Sequence, residues 1–255
     1  MHRLLVETGE LFSACPSLSK EAQGHLRVLR PKEGEEVELF DGQGRRRVCA
    51  CRRVGASFAL CPVADVQTQP RAPVALTLFA CVTKGSRWDW TVEKATELGV
   101  TRLVPVISAR TIVRLSPDER AAKRLRWQRV AEDAARQSDA RWLPEILSPV
   151  SFDESLPLVR ATTCFVGALT DPPPPPIGAA LTALPNVADV AVYVGPEGDF
   201  TPQELAALLA IATPVSFGST ILRAETAAIY GLSAVKARLD AEAGLVPSVC
   251  RGYLV

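Results

Sequence analysis

Two stretches towards the end of the chain hold the residues whose types and spacing could do chemistry. The first is Gly195-Pro196-Glu197-Gly198, a tight turn after the apolar, β-branched run 190–194. The second is a loop that carries Phe217, Gly218, Ile221 and Leu222 and leads into Arg223, Glu225 and Thr226. Glycine lacks a Cβ, so main-chain amides in such a turn can come close to a ligand. The chemistry suggested is the cradling of a cofactor or a phosphate; a plain strand-to-helix connection is the alternative. No Gly-Lys-Ser/Thr follows, so this is not a Walker loop, and the spacing is not that of a G-x-G-x-x-G fingerprint. The chain has two histidines, His2 and His25, and no G-x-S-x-G, which leaves Ser-His-Asp catalysis without its parts. Cys49-x-Cys51 is not a zinc spacing and no other ligand cluster is visible, so no metal centre is expected.

Those loops need elements to hold them. Residues 190–194 read as a buried strand. Thr201-Pro202-Gln203-Glu204 opens a helix, with Thr201 as N-cap, Pro202 in the first helical position and Glu204 reaching back as a capping box. Residues 215–218 read as a short second strand. Residues 223–239 read as a last helix that buries Ala228, Leu232, Val235 and Leu239; Ala224, Ala227 and Gly231 form a second stripe that allows close backbone approach. Upstream, strands at 74–82, 102–107 and 162–169 alternate with helices at 86–98 and from Ser116 to about 139. The longer helix carries Trp127, Val130, Ala131, Ala134 and Ala135 at helical spacing. This alternation predicts an α/β fold with a ligand crevice at its strand ends. The five prolines of 172–176 read as a rigid rim.

Residues 1–70 have a different texture. Short strands at 3–7, 35–40, 46–54 and 57–63, broken by glycine turns, suggest a small β-barrel. Arg45, Arg46, Arg47, Arg52 and Arg53 cluster in its hairpin, either to protect an edge strand or to contact RNA. Residues 66–73 read as a linker, giving domains 1–70 and 71–255. At 47% hydrophobic and 22% charged, the chain can bury a core. Its net charge of +1 demands no polyanionic partner. Residues 84–142 nevertheless hold thirteen Lys or Arg against eight Asp or Glu, which allows a local basic face. There is no secretion-signal pattern and no apolar run long enough for a membrane span. The seven cysteines are scattered, mostly in apolar runs where they read as core residues, so a reduced, cytoplasmic setting is expected.

The motifs VGPEGDFTPQEL and FGSTILRAETA resemble those of the bacterial 16S rRNA (uracil-N3) methyltransferase family, RsmE, of the SPOUT superfamily. Three further blocks agree in order: HLRVLR with LFDG, KGSR through KATELGV, and Gln137-Ser138 with Pro144-Glu145-Ile146. The resemblance implies a parallel-sheet domain with a deep trefoil knot, preceded by a PUA-like β-barrel that helps bind RNA. It implies a homodimer using S-adenosylmethionine to methylate N3 of one uridine in small-subunit rRNA. Carried over, Gly195, Pro196, Glu197 and Gly198 form one cofactor loop, Phe217, Gly218, Ile221, Leu222 and Thr226 another, and Leu169 a third wall. Arg223 would stabilise charge developing on the uracil. Glu225 would act as base, orient Arg223 or cap its helix. His25, Arg27, Arg30, Lys84 and Arg87 would contact rRNA. The chain departs from the family pattern at Asp199, where a second glycine is usual, at Phe217, where leucine is usual, and at Ala140, where the register calls for arginine.

Overall fold

The computed structural model describes residues 1–184 and 189–242; Cys250 lies outside them. The described chain forms two compact units. One is Met1–Ala72 together with Arg129–Leu143, and the other comprises residues 73–128 and those from 144 onward. Residues 129–143, which the sequence pattern leaves with the C-terminal part, thus pack with the N-terminal unit.

In the first unit, β1 (His2–Leu5), β2 (Glu36–Phe40), β3 (Arg45–Val54) and β4 (Ser57–Pro62) lie side by side, and β5 (Gln67–Thr68) also pairs with β3. Helices α1 (Thr8–Phe12) and α2 (Lys20–Leu29) complete it. β1 runs parallel to β2, so the first strand does not begin a meander. Alternation along β2 sends Val37 and Leu39 into a core with Leu4, Leu11, Leu26 and Leu60. Between them Glu38 is 1% exposed and must be paired. It accepts from Arg3 Nε at 2.8 Å and Arg46 Nη1 at 2.7 Å. Arg3 also donates to the carbonyls of Ala135 and Ala140, at 2.5 and 3.2 Å, which ties residues 129–143 to this unit.

Edge protection does not account for the arginine cluster, and two of its members are engaged inside the unit. β3 is an interior strand, so no edge needs protection there. Arg46 is spent on Glu38 and on Gln67 Oε1, and Arg47 donates to the carbonyls of Leu11, Ser13 and Ala64.

The second unit is a parallel sheet in the order β12-β10-β11-β6-β7-β8, with β9 also on β7. Its elements are β6 (Ala75–Cys81), α3 (Ser86–Glu97), β7 (Arg102–Ile107), α4 (Pro117–Ser138, whose last turns belong to the first unit), β8 (Glu145–Ile146), β9 (Val150–Ser151), α5 (Phe152–Ser155), β10 (Thr163–Gly167), α6 (Ile177–Thr182), β11 (Asp189–Val194), α7 (Pro202–Leu209), β12 (Thr213–Val215) and α8 (Ala224–Glu242). The central strands β6 and β11 are near-continuous apolar runs because helices cover them. Phe79 of β6 stacks on Tyr193 of β11 with centroids 5.1 Å apart. Two strand ends differ from the sequence reading. The last strand is 213–215, not 215–218, because the chain turns out at Ser216 and Gly218 sits at φ +114°, outside strand geometry. β10 likewise ends at Gly167, leaving Leu169 in the loop. No described helix is long and apolar enough to cross a membrane.

Burial raises the thiols of Cys49 and Cys81 to about 11 and that of Cys164 to about 12. Cys15 is exposed. At pH 8 a maleimide is therefore expected to label Cys15 quickly and to spare Cys49, Cys81 and Cys164, whose thiolates are scarce there. Peptide mass spectrometry reads the order, and labelling of Cys81 or Cys164 as fast as Cys15 would show that this core is not packed as described.

Candidate functional site

β12, β10 and β11 are neighbours, and their carboxyl ends open into one cleft. That is where an open parallel sheet binds ligands, because the loops there can splay apart. Leu169, Gly195, Pro196, Glu197, Phe217, Gly218, Ile221 and Leu222 all line it, although they come from three separate loops. Gly198 and Thr226 do not. Gly198 turns towards Arg110, whose Nη1 donates to the Gly198 carbonyl at 2.9 Å, and Thr226 is exposed on α8.

One ring sets the shape of the second loop. A Cβ on Gly167 would stand 2.4 Å from Phe217 Cε2, and one on Gly231 would stand 3.3 Å from Phe217 Cζ and 2.9 Å from Val192 Cγ1. Phe217 thus occupies a slot made by two missing methyl groups, at the end of β10 and inside α8. Tyr230 closes it, its ring centroid 5.9 Å away. The proline stretch runs alongside: Ser216 N–H donates to the Pro175 carbonyl at 2.9 Å, and Ile177 N–H to the Ser216 carbonyl at 3.0 Å.

The first loop is held from below and from the side. Thr201 and Glu204 form the expected capping box at the start of α7. Glu204 Oε1 also accepts from Ala109 N–H at 2.8 Å, and Arg110 Nη1 reaches the Phe200 carbonyl at 3.3 Å as well as that of Gly198. Asp199 adopts φ +59°, the left-handed conformation that glycine takes most readily. Aspartate is among the few other residues that tolerate it, and its Oδ1 accepts from Phe200 N–H at 2.7 Å. The departure at Asp199 therefore keeps the backbone that the usual glycine would give.

Charge in the cleft comes from Glu197 and Asp199. Glu197 Oε1 accepts from Arg87 Nη1 at 3.2 Å, so Arg87 is tied to the cleft. At the start of α8, Arg223 is exposed and forms no ion pair among the described residues; its carbonyl accepts from Ala227 N–H at 2.8 Å. Glu225 is 9% exposed, and its Oε2 has no hydrogen-bond partner among the described residues. An orphaned carboxylate oxygen is costly inside a protein.

The remaining candidates are cationic. In the first unit Arg27 and Arg30 flank a cavity of about 390 Å³ that they share with Arg53 and Phe58. His25, on the same helix, is held below its usual pKa by partial burial and then by Arg136, so it is neutral at pH 7. Lys84 is exposed in the second unit.

The RNA methyltransferase domain family matches residues 70–236. The chain is 32% identical to a ribosomal RNA small subunit methyltransferase E from Synechocystis, over 94% of this chain and 78% of that one. It is 27% identical to its counterpart in Bacillus subtilis, over 92% and 96%. This chain belongs to the ribosomal RNA small subunit methyltransferase E family. A family structure from Neisseria gonorrhoeae, bound to S-adenosyl methionine, superposes with a TM-score of 0.79 at 30% identity, over 93% of this chain and 97% of that one.

Sequence reasoning missed the residues that support the family cleft from a distance. Arg110 lies 88 residues before the carbonyl it holds, and no local pattern announces such a contact. Gly167 was hidden inside a strand reading; only its partner stripe around Gly231 gave a signal.

The two loops make separate predictions. Asp199→Gly is expected to leave affinity for S-adenosylmethionine within about twofold, whereas Asp199→Val should weaken it by tenfold or more, since a β-branched residue resists φ +59°. Isothermal titration with the purified variants decides this. Gly167→Ala should lower stability by about 1–3 kcal/mol through overpacking against Phe217, and Gly167→Ala with Phe217→Leu should recover part of it; equal loss in both variants would discard the slot.

Proposed function

We propose that this chain transfers a methyl group from S-adenosylmethionine to N3 of one uridine in 16S rRNA of the small ribosomal subunit. The observation that carries the reading is the convergence of three loops on one cleft, in a chain whose Neisseria relative holds this cofactor. The lining fits such a group. Apolar side chains and open glycine backbone suit an adenosine moiety. Glu197 and Asp199 suit a ligand whose sulfonium and ammonium outnumber its carboxylate. When bound, the cofactor supplies an electrophilic methyl group. Of the residues expected to hold it, the eight that line the cleft, Leu169, Gly195, Pro196, Glu197, Phe217, Gly218, Ile221 and Leu222, are proposed to do so.

The chain's own task is at the uracil. N3 carries a proton and its lone pair is delocalised, so the site must favour the deprotonated ring. Arg223, without an ion pair among the described residues, would stabilise negative charge on the uracil carbonyl oxygens. Glu225, with its unpartnered oxygen, is the candidate acceptor of the N3 proton. Lys84 and Arg87 would meet phosphates. The N-terminal unit would act as a PUA-like barrel, holding RNA through Arg27 and Arg30, with His25 contributing without charge.

The chain is further proposed to work in the cytoplasm as a homodimer. Ile221 and Leu169, 84% and 67% exposed at the cleft, suit burial against a second copy. The pairing of 175–177 with Ser216, beside the β10–β12 pair, supports a chain path in which the second loop belongs to a trefoil knot.

The test supplies labelled S-adenosylmethionine and small subunits lacking the modification, then digests the rRNA and identifies the labelled nucleoside. Label is expected in 3-methyluridine. Arg223→Ala should lower kcat by about 10²–10³-fold, the usual loss for one charge-stabilising donor, with cofactor affinity unchanged. Label in another nucleoside would replace the substrate, and a wild-type chain that neither binds cofactor nor yields label would remove the reading altogether.

A further inference from the structure

One strand over from the cleft is a second cavity, of about 170 Å³. Thr83, Trp88, Asp89, Lys123 and Arg126 line it, between the end of β6, the first turn of α3 and the second and third turns of α4. Two of its polar atoms are orphaned. Thr83 and Trp88 are 4% and 2% exposed, and neither Thr83 Oγ1 nor Trp88 Nε1 has a hydrogen-bond partner among the described residues. The third source of donors is α3 itself. Its N-cap is Gly85, which has no side chain to satisfy the first helical amides. Lys123 and Arg126 are exposed at this cavity, and the one acid, Asp89, is already ion-paired to Arg126.

These groups share one requirement. An indole N–H only donates, the helix amides only donate, and the ammonium only donates. Their ligand must be rich in acceptors and negatively charged. A nucleobase fits poorly, because Trp88 and Trp127, each 2% exposed and tilted against each other with centroids 5.5 Å apart, leave no ring face open. Only the indole edge is on offer, so nothing can stack. A phosphate fits: it has oxygens for Thr83, Trp88 and the helix start, and charge for Lys123.

We propose that this cavity is a subsite for a backbone phosphate of the RNA strand, close to the nucleotide being methylated. The placement supports it. β6 pairs with β11 up to Ala80 and Val194, so Thr83 leaves the sheet next to the Gly195 loop. Arg87, one residue before Trp88, already reaches Glu197 in the cleft. The subsite rests on the RNA-methylating reading for its strand, while its chemistry is that of any phosphodiester.

The test measures equilibrium binding of the full chain to unmodified small subunits across a range of salt, alongside methyl transfer. Lys123→Ala is expected to weaken binding about tenfold and to reduce the log–log salt slope by about 0.7–0.9, the loss of one phosphate contact. Trp88→Phe should weaken binding roughly three- to tenfold with the slope unchanged, since it removes a neutral donor. Thr83→Val, of equal size, gives the same readout should the ring exchange disturb the Trp88–Trp127 pair. Cofactor affinity should stay as in the wild type. Inorganic phosphate should move the indole N–H resonance that disappears in Trp88→Phe. If Lys123→Ala and Thr83→Val bind RNA with wild-type affinity and slope while the wild type forms 3-methyluridine, the subsite is wrong and the function stands. If the variants weaken binding as described but the wild type methylates nothing, the subsite stands and the function is wrong.

Discussion

The cleft depends on where one aromatic ring is allowed to sit. Phe217 is wedged between the end of β10 and the middle of α8, in space that any side chain at Gly167 or Gly231 would occupy. A glycine inside a helix costs about 1 kcal/mol relative to alanine. Covering a phenylalanine ring returns up to about 1.5–3 kcal/mol. The slot fixes more than a ring. Once Phe217 is anchored, the loop from Ser216 to Leu222 cannot swing away from the sheet, so Gly218, Ile221 and Leu222 are held as a wall facing Gly195 and Leu169. The same anchor explains why β12 is short. The chain must leave the sheet after Val215 to deliver the ring into its slot.

Most guanidinium groups of the second unit tie the fold together. Arg110 grips the first cleft loop, Arg114 the carbonyls of Ala109 and Thr111, Arg120 that of Pro149 and Arg124 that of Ile146. Loop and strand ends expose carbonyls that need donors, and a planar fork with five N–H groups serves several at once. The excess of positive charge between residues 84 and 142 is thus largely consumed inside the fold. Exposed cations outside any ion pair among the described residues include Lys84, Lys123 and Arg223 in this unit, and Arg27, Arg30 and Arg53 in the other.

How much of this could be read from residues alone follows from the range of each interaction. The capping boxes of Thr201 with Glu204 and Ser116 with Glu119 were legible, because both partners lie within one turn. The alternation of strands and helices was legible because periodicity is local. The two cleft loops announced themselves through glycine and the motifs around them. What was not legible lies at long separation. Nothing near Glu38 says that Arg3 will pair with it across the sheet and also bind carbonyls at 135 and 140. Nothing near Gly198 points to Arg110. The arginines of 45–53 look like a basic surface when written in a row, and only the pairing of β3 on both sides shows that several face inward to bonds already made.

A cleft built from backbone conformation constrains its sequence in an unusual way. Its loops need a left-handed residue at 199, a positive φ at 218 and room at 167 and 231. Beyond that, the side chains that hold them are few: Phe217 in its slot, and Glu204 and Arg110 beside the first loop. Aspartate can therefore stand where glycine is usual, because it tolerates φ +59° and bonds to the next amide. Phenylalanine can stand where leucine is usual, because two glycines make space for it. The family shares its fold closely, with a TM-score of 0.79 at 30% identity. That is the pattern expected when conformation and compensating space, more than individual side chains, define where the ligand goes. Side chains matter more at the head of α8, beside the cleft, where Arg223 is exposed and Glu225 is buried with an oxygen that has no partner among the described residues.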